Sequence, residues 1–378
     1  MPAELCPLLY ASTHQSADLF YLGRVSVPDP ILAFVCHGQS VAVVNRLEYA
    51  RVKRDGRFDE VLGWEACVEK ARQKYGRRAK LPADILRVLA DELSMPGFLI
   101  PETFPAGLAF DLRNRRMTVR VADGPLFPER VLKRDDEAEG IRAGNAAACA
   151  GFSLVEKALR ESSVRDGKLY YEGDYLTSER LHRMIEIQCL ERGAESRDTI
   201  AAGGDQACDP HHRGAGPLRP NELIIVDIFP KDLASGYHGD MTRTYLKGKA
   251  SEAQRTLVQT VFEAQQQVIE RHRAGVNGRE LYQWVCDFFD ERDYKTEDRD
   301  GTPVGFFHGL GHGLGLEVHE APRVSRADDI LQPGHVVTVE PGLYYPGLGG
   351  CRIEDVIRIR EEGAPELLSD HPYAWEIA

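Results

Sequence analysis

The sequence predicts two domains: an α/β domain first, then a larger domain of long helices and short strands that stop at acidic residues. Three observations carry this reading. At 378 residues the chain is too long for one ordinary core and long enough for two. Its first third alternates short apolar runs with helix-like segments. Later, a glycine-spaced run with three histidines, His308 to Arg323 (HGLGHGLGLEVHEAPR), sits among strands that end at or beside acids.

In the first domain, Ile31–Cys36 and Ser40–Val44 are apolar runs separated by HGQ, which predicts two strands joined at Gly38. Asp84–Leu93 has helical spacing, with Ile85, Leu86, Leu89 and Leu93 on one side. Phe98 opens another short apolar run, FLIPE. Strands interleaved with helices imply an α/β domain. His14 and His37 have no partners nearby in sequence and read as structural. The stretch Asp123–Arg134, with Gly124, Pro125 and Pro128, predicts a boundary, giving domains 1–128 and 129–378.

Beyond it, Asp135, Asp136 and Glu137 open a helix whose Ile141, Ala148, Phe152, Val155 and Leu159 share a face. A second helix begins at Thr177 and Ser178, with Leu181, Met184, Ile185 and Leu190 assigned to its apolar side. Thr199–Pro220, rich in glycine and carrying His211 and His212, reads either as plain loop or as part of a site. Leu223–Val226 is a strand predicted to end at Asp227, and MTRTYL returns as a second strand after Asp240. Ser251 with Gln254, and Asn277 with Glu280, are predicted capping boxes for two further helices, the first running to Gly275. Val336–Val339 then leads to Glu340, and Cys351–Ile353 to Glu354.

Composition narrows the function classes. A net charge of −12 repels polyanions, so nucleic acid is not expected as a partner. The basic stretch Lys70–Lys80 reads as a solvated helix face. Eight scattered cysteines without a Cys-x-x-Cys pair suit reduced thiols rather than a disulfide framework or a zinc knuckle. No basic-then-apolar leader opens the sequence, and no apolar run approaches the ~20 residues of a membrane helix. A cytoplasmic protein without membrane contact is therefore expected.

The chemistry lies in Asp227, Asp240, His312, Glu340 and Glu354. An acid at the end of a buried strand is expensive to desolvate unless something positive meets it, and two aspartates side by side repel. Four carboxylates and one imidazole suit two divalent ions rather than one. Oxygen-rich ligation without sulfur favours Mn2+ or Co2+ and permits Zn2+ or Fe2+. Such a pair suits amide hydrolysis. Histidines outside the ligand set are left to donate to an oxyanion or pass a proton.

VDIFPKDLASGYHGDMTRTY, HGLGHGLGLEVHEAPR, VEPGLYYP and GGCRIED resemble, in order, the motifs of the pita-bread metallopeptidases: methionine aminopeptidase, aminopeptidase P and prolidase. The resemblance spans about Lys133 to Ile359. It implies an α+β pita-bread (creatinase/aminopeptidase) catalytic domain behind the α/β N-terminal domain found in the proline-specific branch and creatinase. It further implies that Asp227 chelates one metal, that Asp240 and Glu354 bridge the pair, and that His312 and Glu340 complete the second site. Glu340 would also accept the proton of the attacking water. His319 would steady the substrate and the tetrahedral intermediate, His308 and His211 would be further pocket histidines, and Arg352 would support the metal-binding carboxylates. Arg323 has two readings, a reader of a dipeptide carboxylate or a surface arginine after Pro322. The family usually has glycine where Phe229 stands, which predicts a narrower pocket floor. The implied activity is hydrolysis of the Xaa-Pro bond of dipeptides. The alternatives are aminopeptidase P acting on longer peptides and a peptide-binding relative without proteolysis. Retention of all five ligands argues against a metal-free creatinase, and the extra domain argues against methionine aminopeptidase. A homodimer is expected.

Overall fold

Short apolar runs at the start of the chain build a mixed six-stranded sheet, buried on both faces. Strands β1 (Cys6–Ala11), β2 (Ile31–Cys36), β3 (Gln39–Val44), β4 (Glu60–Gly63), β5 (Phe98–Ile100) and β6 (Val119–Val121) lie in the order β4-β3-β2-β1-β5-β6. The computed structural model describes residues 4–378, in two units divided after Arg130. The β2–β3 turn places both His37 and Gly38 at positive φ, the geometry of a two-residue primed turn. Helices α1 (Ala17–Gly23), α2 (Arg46–Asp55), α3 (Trp64–Tyr75), α4 (Pro82–Glu92) and α5 (Ala106–Asn114) complete this unit. Ile85, Leu86 and Leu89 of α4 are buried, and Leu93 is half-buried.

The second unit opens with α6 (Asp135–Glu161), whose five predicted face residues are all fully buried. A small meander follows, β7 (Ser163–Arg165), β8 (Lys168–Tyr171) and β9 (Asp174–Tyr175). In α7 (Ser178–Glu191) the Thr177 side chain accepts the Arg180 N–H, as a cap should. Leu181 and Ile185 are buried there, but Leu190 is 55% exposed. Leu190 lies nine residues from Leu181, which at about 100° per residue is half a turn around the helix and faces away from the core. Strand β10 (Ala194–Glu195) pairs with β13 (Lys231–Asp232), and β15 (Glu297–Arg299) with β16 (Thr302–Val304).

Two larger sheets hold the centre of this unit. The first contains β11 (Ile200–Gly203), β12 (Ile224–Ile228), β14 (Met241–Lys247) and the terminal β24 (Glu376–Ile377). The second runs β18 (Glu320–Val324), β17 (Gly311–Gly313), β19 (Val336–Val339), β22 (Asp355–Arg358) and β23 (Glu366–Leu367). β20 (Gly342–Tyr345) and β21 (Gly349–Arg352) form a hairpin. Ile224, Val226, Ile228, Met241 and Tyr245 share a core with the buried face of α6 and α7. Val337, Val339 and Ile357 pack with α8 (Glu252–Ile269) and α9 (Gly278–Asp290). With helices taking one set of alternate residues, the other set, Ile225 and Asp227, Thr242 and Thr244, and Thr338, is turned to the opposite face.

The glycine-rich segment after Thr199 is not plain loop, since Ile200–Gly203 pairs with β12. Asp227 lies within β12 rather than at its end, opposite Thr242. The Ser251–Gln254 capping box is present, whereas Asn277 caps by accepting the Arg279 N–H. Helix α8 stops at Ile269, short of Gly275: the His272 ring takes the Val268 carbonyl at 2.8 Å, and the His272 N–H turns back to Ile269. All eight cysteines are free thiols. Among the described residues, no helix is long and apolar enough to cross a membrane.

Candidate metal centre

The inner faces of the two sheets meet at a cavity of about 1000 Å³. Its walls include Asp227, Asp240, His312, Glu340 and Glu354, together with His211, His308, His319, Arg323 and Arg352. Every residue to which the motifs assign a ligand, pocket or supporting role therefore lines one space, while His212, next to His211, does not.

Each side chain has a local reason to be there. Asp240 immediately precedes β14, and its backbone N–H is held by Asn145 of α6 at 2.8 Å, while the Asn145 amide donates to Leu368. This contact needs a close approach: a Cβ on Gly144 would lie 2.3 Å from the Gly239 backbone nitrogen. His312 lies in β17 beside β19, its N–H bonded to Thr338 Oγ1 at 3.1 Å. The Thr338 hydroxyl donates in turn to Glu340 at 3.3 Å. Glu354 bridges to Thr242 across strands, and the Thr242 hydroxyl donates to Glu354 Oε2 at 2.7 Å.

The oxygen and nitrogen donors of Asp240, His312 and Glu354 lie within 4.8 Å of one another. His312 Nδ1 is 3.2 Å from the Gly313 carbonyl, so it carries the proton and leaves the Nε2 lone pair facing outward. That lone pair points at Glu340 Oε1, 3.4 Å away, and Asp240 Oδ2, 3.7 Å away. Burial, with His319 alongside, pushes the His312 pKa down to about 3, so the ring stays neutral. Three acceptors facing one another repel unless a cation or protons lie between them. Burial, then repulsion by Asp227 and Glu340, raises the Asp240 carboxyl well above its usual range. Glu354 is raised likewise by burial, then by Asp240. Burial lifts Glu340 to about 7. Asp227 Oδ1 is buried and has no hydrogen-bond partner among the described residues, which leaves it an acceptor that a metal ion would satisfy. The residues present fit divalent ions: neutral imidazole and carboxylate oxygens, no sulfur, one lone pair already aimed.

Arg352 binds around this set. Its guanidinium donates to Asp227 at 2.8 Å, to Tyr344 at 3.0 Å and to Thr242 at 3.2 Å, and the residue is 3% exposed. Because arginine can only donate, the Tyr344 hydroxyl proton goes on to His308 Nε2, 2.8 Å away. His308 Nδ1 is 2.7 Å from the Gly309 carbonyl. Both ring nitrogens of His308 are thus engaged, and burial lowers its pKa to about 3. His308 lines the cavity as a fixed wall. His319 is more open, its ring edge-on to His312 at 4.4 Å between centroids. His211 is exposed, its N–H held by Asp209. Phe229 is half-buried in the cavity wall, two residues beyond Asp227 and just past the end of β12. Sequence reasoning missed Asn145, Thr242, Thr338 and Tyr344, whose partners are named only by the fold.

The sequence pattern of metallopeptidase family M24 matches residues 139–361. The chain is 37% identical over 273 residues to the Xaa-Pro dipeptidase of Pyrococcus horikoshii, covering 71% of this chain and 72% of that one. It is 33% identical over 241 residues to the Xaa-Pro dipeptidase of Pyrococcus furiosus, covering 63% of each, so the match spans less than two thirds of that relative. The fold is shared with the solved Xaa-Pro dipeptidase from Bacillus anthracis, with a TM-score of 0.82 over 99% of this chain and 95% of that one at 23% identity. It is also shared with aminopeptidase P from Escherichia coli, with a TM-score of 0.73 over 97% and 91% at 21% identity. The two-domain pita-bread architecture expected from the motifs is the one observed. Membership implies divalent metal ions, and the buried Asp240–His312–Glu354 cluster is compatible with them. With the pattern running over more than half of its length, this chain belongs to metallopeptidase family M24.

Proposed function

We propose that the protein is a dinuclear metal-dependent Xaa-Pro dipeptidase. The observation that carries this is the His312 Nε2 lone pair facing Asp240 and Glu340 in a cavity where Asp227 Oδ1 has no partner among the described residues. Asp227, Asp240, His312, Glu340 and Glu354 are assigned as the ligands of two ions, with Mn2+ or Co2+ favoured by the oxygen-rich set and Zn2+ or Fe2+ accepted. A divalent pair supplies, when bound, a nucleophile from water at neutral pH and a polarised substrate carbonyl.

The chain's own residues do the rest. Glu340, whose pKa burial raises to about 7, is suited to hold the proton of the attacking water. His319, with His211 near the cavity rim, is assigned to bind the scissile carbonyl oxygen and the departing nitrogen. Tyr344 and Arg352 keep His308 and Asp227 fixed. The Arg323 side chain is exposed at the cavity wall and makes no ion pair among the described residues, and a guanidinium there suits the free carboxylate of a dipeptide. The relatives named Xaa-Pro dipeptidase support proline in the second position. We further assign the protein to the cytoplasm and to a homodimer. Ile187, Leu190 and Leu233, each more than half exposed, support a second copy by offering apolar surface to bury.

The test compares release of the first residue from Ala-Pro and Ala-Pro-Ala with Mn2+ present. The dipeptide should be preferred, and Arg323→Ala should raise its KM while changing the tripeptide little. Preference for the tripeptide would instead mean aminopeptidase P activity.

A further inference from the structure

We propose that Lys133 is a positioning residue that fixes His319 through Glu320; this rests on the assignment of His319 to the peptidase site. Lys133 is 3% exposed, and its ammonium donates to Glu320 Oε2 at 2.7 Å, with the Glu320 side chain only 6% exposed. A lysine is seldom buried to this degree. A buried ion pair returns little net stability against the desolvation of both charges, so its presence calls for a geometric role.

That role is visible in the loop between His312 and Glu320. The Glu320 carboxylate sits inside this loop and accepts the Glu317 N–H at 3.2 Å. A Cβ on Gly315 would fall 2.5 Å from Glu320 Oε2, so the backbone is wrapped directly on the carboxylate. The Gly315 carbonyl accepts the His238 N–H at 2.8 Å. His319 precedes Glu320 in the chain, and its ring rests on that of His312. Lys133 is itself anchored at both backbone groups: its N–H donates to Gly334 at 2.7 Å, and its carbonyl accepts from Arg358 at 2.8 Å. Gly334 leads into β19, whose end carries Glu340, and Arg358 ends β22. Lys133 thus joins the loop that presents His319 to β19, which leads to Glu340, and to β22, which follows Glu354. Two groups assigned to successive proton and charge movements are held at a fixed separation by one side chain.

The test uses the full chain loaded with Mn2+. Lys133→Met should lower kcat for Ala-Pro at least about tenfold with KM within about twofold, with metal content unchanged. Hydrogen exchange should rise in residues 314–320 while 336–339 keep their protection. Glu320→Gln, which keeps the side-chain volume and the Glu317 contact, should give the same pattern in a weaker form and stands in if Lys133→Met does not fold. Unchanged kcat in the folded variant, or loss of protection spread through the whole second unit, would overturn the proposal. If the parent protein cleaves no Xaa-Pro peptide, hydrogen exchange alone decides. Loss confined to 314–320 then supports the pin, and the peptidase assignment fails separately.

Discussion

Replacing Gly311 with alanine should damage the metal centre more than the fold. A Cβ at this position would lie 2.0 Å from the Thr338 carbonyl oxygen and 3.1 Å from its Oγ1. Ordinary contact begins at 3.4 Å, so β17 and β19 must part by about 1.4 Å, the difference between the two distances. That movement falls on the residue before His312, on the Thr338 hydroxyl that holds both the His312 N–H and Glu340, and on the Glu340 N–H bond to Leu310. Overpacking of this kind costs about 1–3 kcal/mol of stability. A displacement near 1 Å between groups that must act together costs on the order of 10² in turnover. The assay pairs urea unfolding with calorimetric titration of Mn2+ and Ala-Pro hydrolysis. Gly107→Ala serves as the control, since a Cβ there meets nothing within 4 Å. A Gly311→Ala protein that binds Mn2+ with parental affinity and turns over within twofold of the parent would refute the close-approach argument.

Further outcomes follow from single contacts. Glu340→Ala removes both a proposed ligand and the proposed proton acceptor, so turnover should fall by at least about 10²–10⁴-fold while the circular dichroism spectrum is retained; near-normal hydrolysis would move the site elsewhere. Thr242→Val deletes a buried hydroxyl that donates to Glu354 and accepts from Arg352. It should cost about 1.5–3 kcal/mol in urea unfolding, with Thr242→Ser close to the parent. His272 is fully buried, its Nε2 has no partner among the described residues, and burial lowers its pKa to about 4. Its neutral form is favoured in the fold, so the stability is fully present above the unfolded pKa of ~6.5 and is lost as pH falls toward the folded value. The loss amounts to at most about 3 kcal/mol. In His272→Leu the unfolding midpoint should fall less between pH 6.5 and 4, and an identical slope in both proteins would contradict this.

The proposed ligand set was legible because its chemistry is written in residue type and order. Asp227, Asp240, Glu340 and Glu354 stand out as acids beside apolar strands, and His312 as one of three histidines among glycines. Apart from Arg352, their supports were not legible. Thr242 and Glu354 are 112 residues apart, and Asn145 and Asp240 are 95 apart. A hydroxyl or an amide carries no sign of its partner over such separations. Leu190 shows the limit of composition without angle, since an apolar residue near a helical stripe can still point away from it. The end of α8 shows a different limit. His272 replaces the next helical bond with its own ring, and a periodic pattern does not record this substitution. The sequence marks His308 as a further pocket histidine but gives no sign that Tyr344, a residue with no signature of its own, engages its second ring nitrogen.

The measurement that bears most directly on the account is the metal content of the purified protein during a Mn2+ titration, with Ala-Pro hydrolysis followed in the same samples. The account predicts two ions per chain, with hydrolysis rising as they bind, and a reduced count with no hydrolysis in Asp240→Asn. Hydrolysis that proceeds unchanged after exhaustive chelation, or a parent that binds no divalent ion, would contradict it.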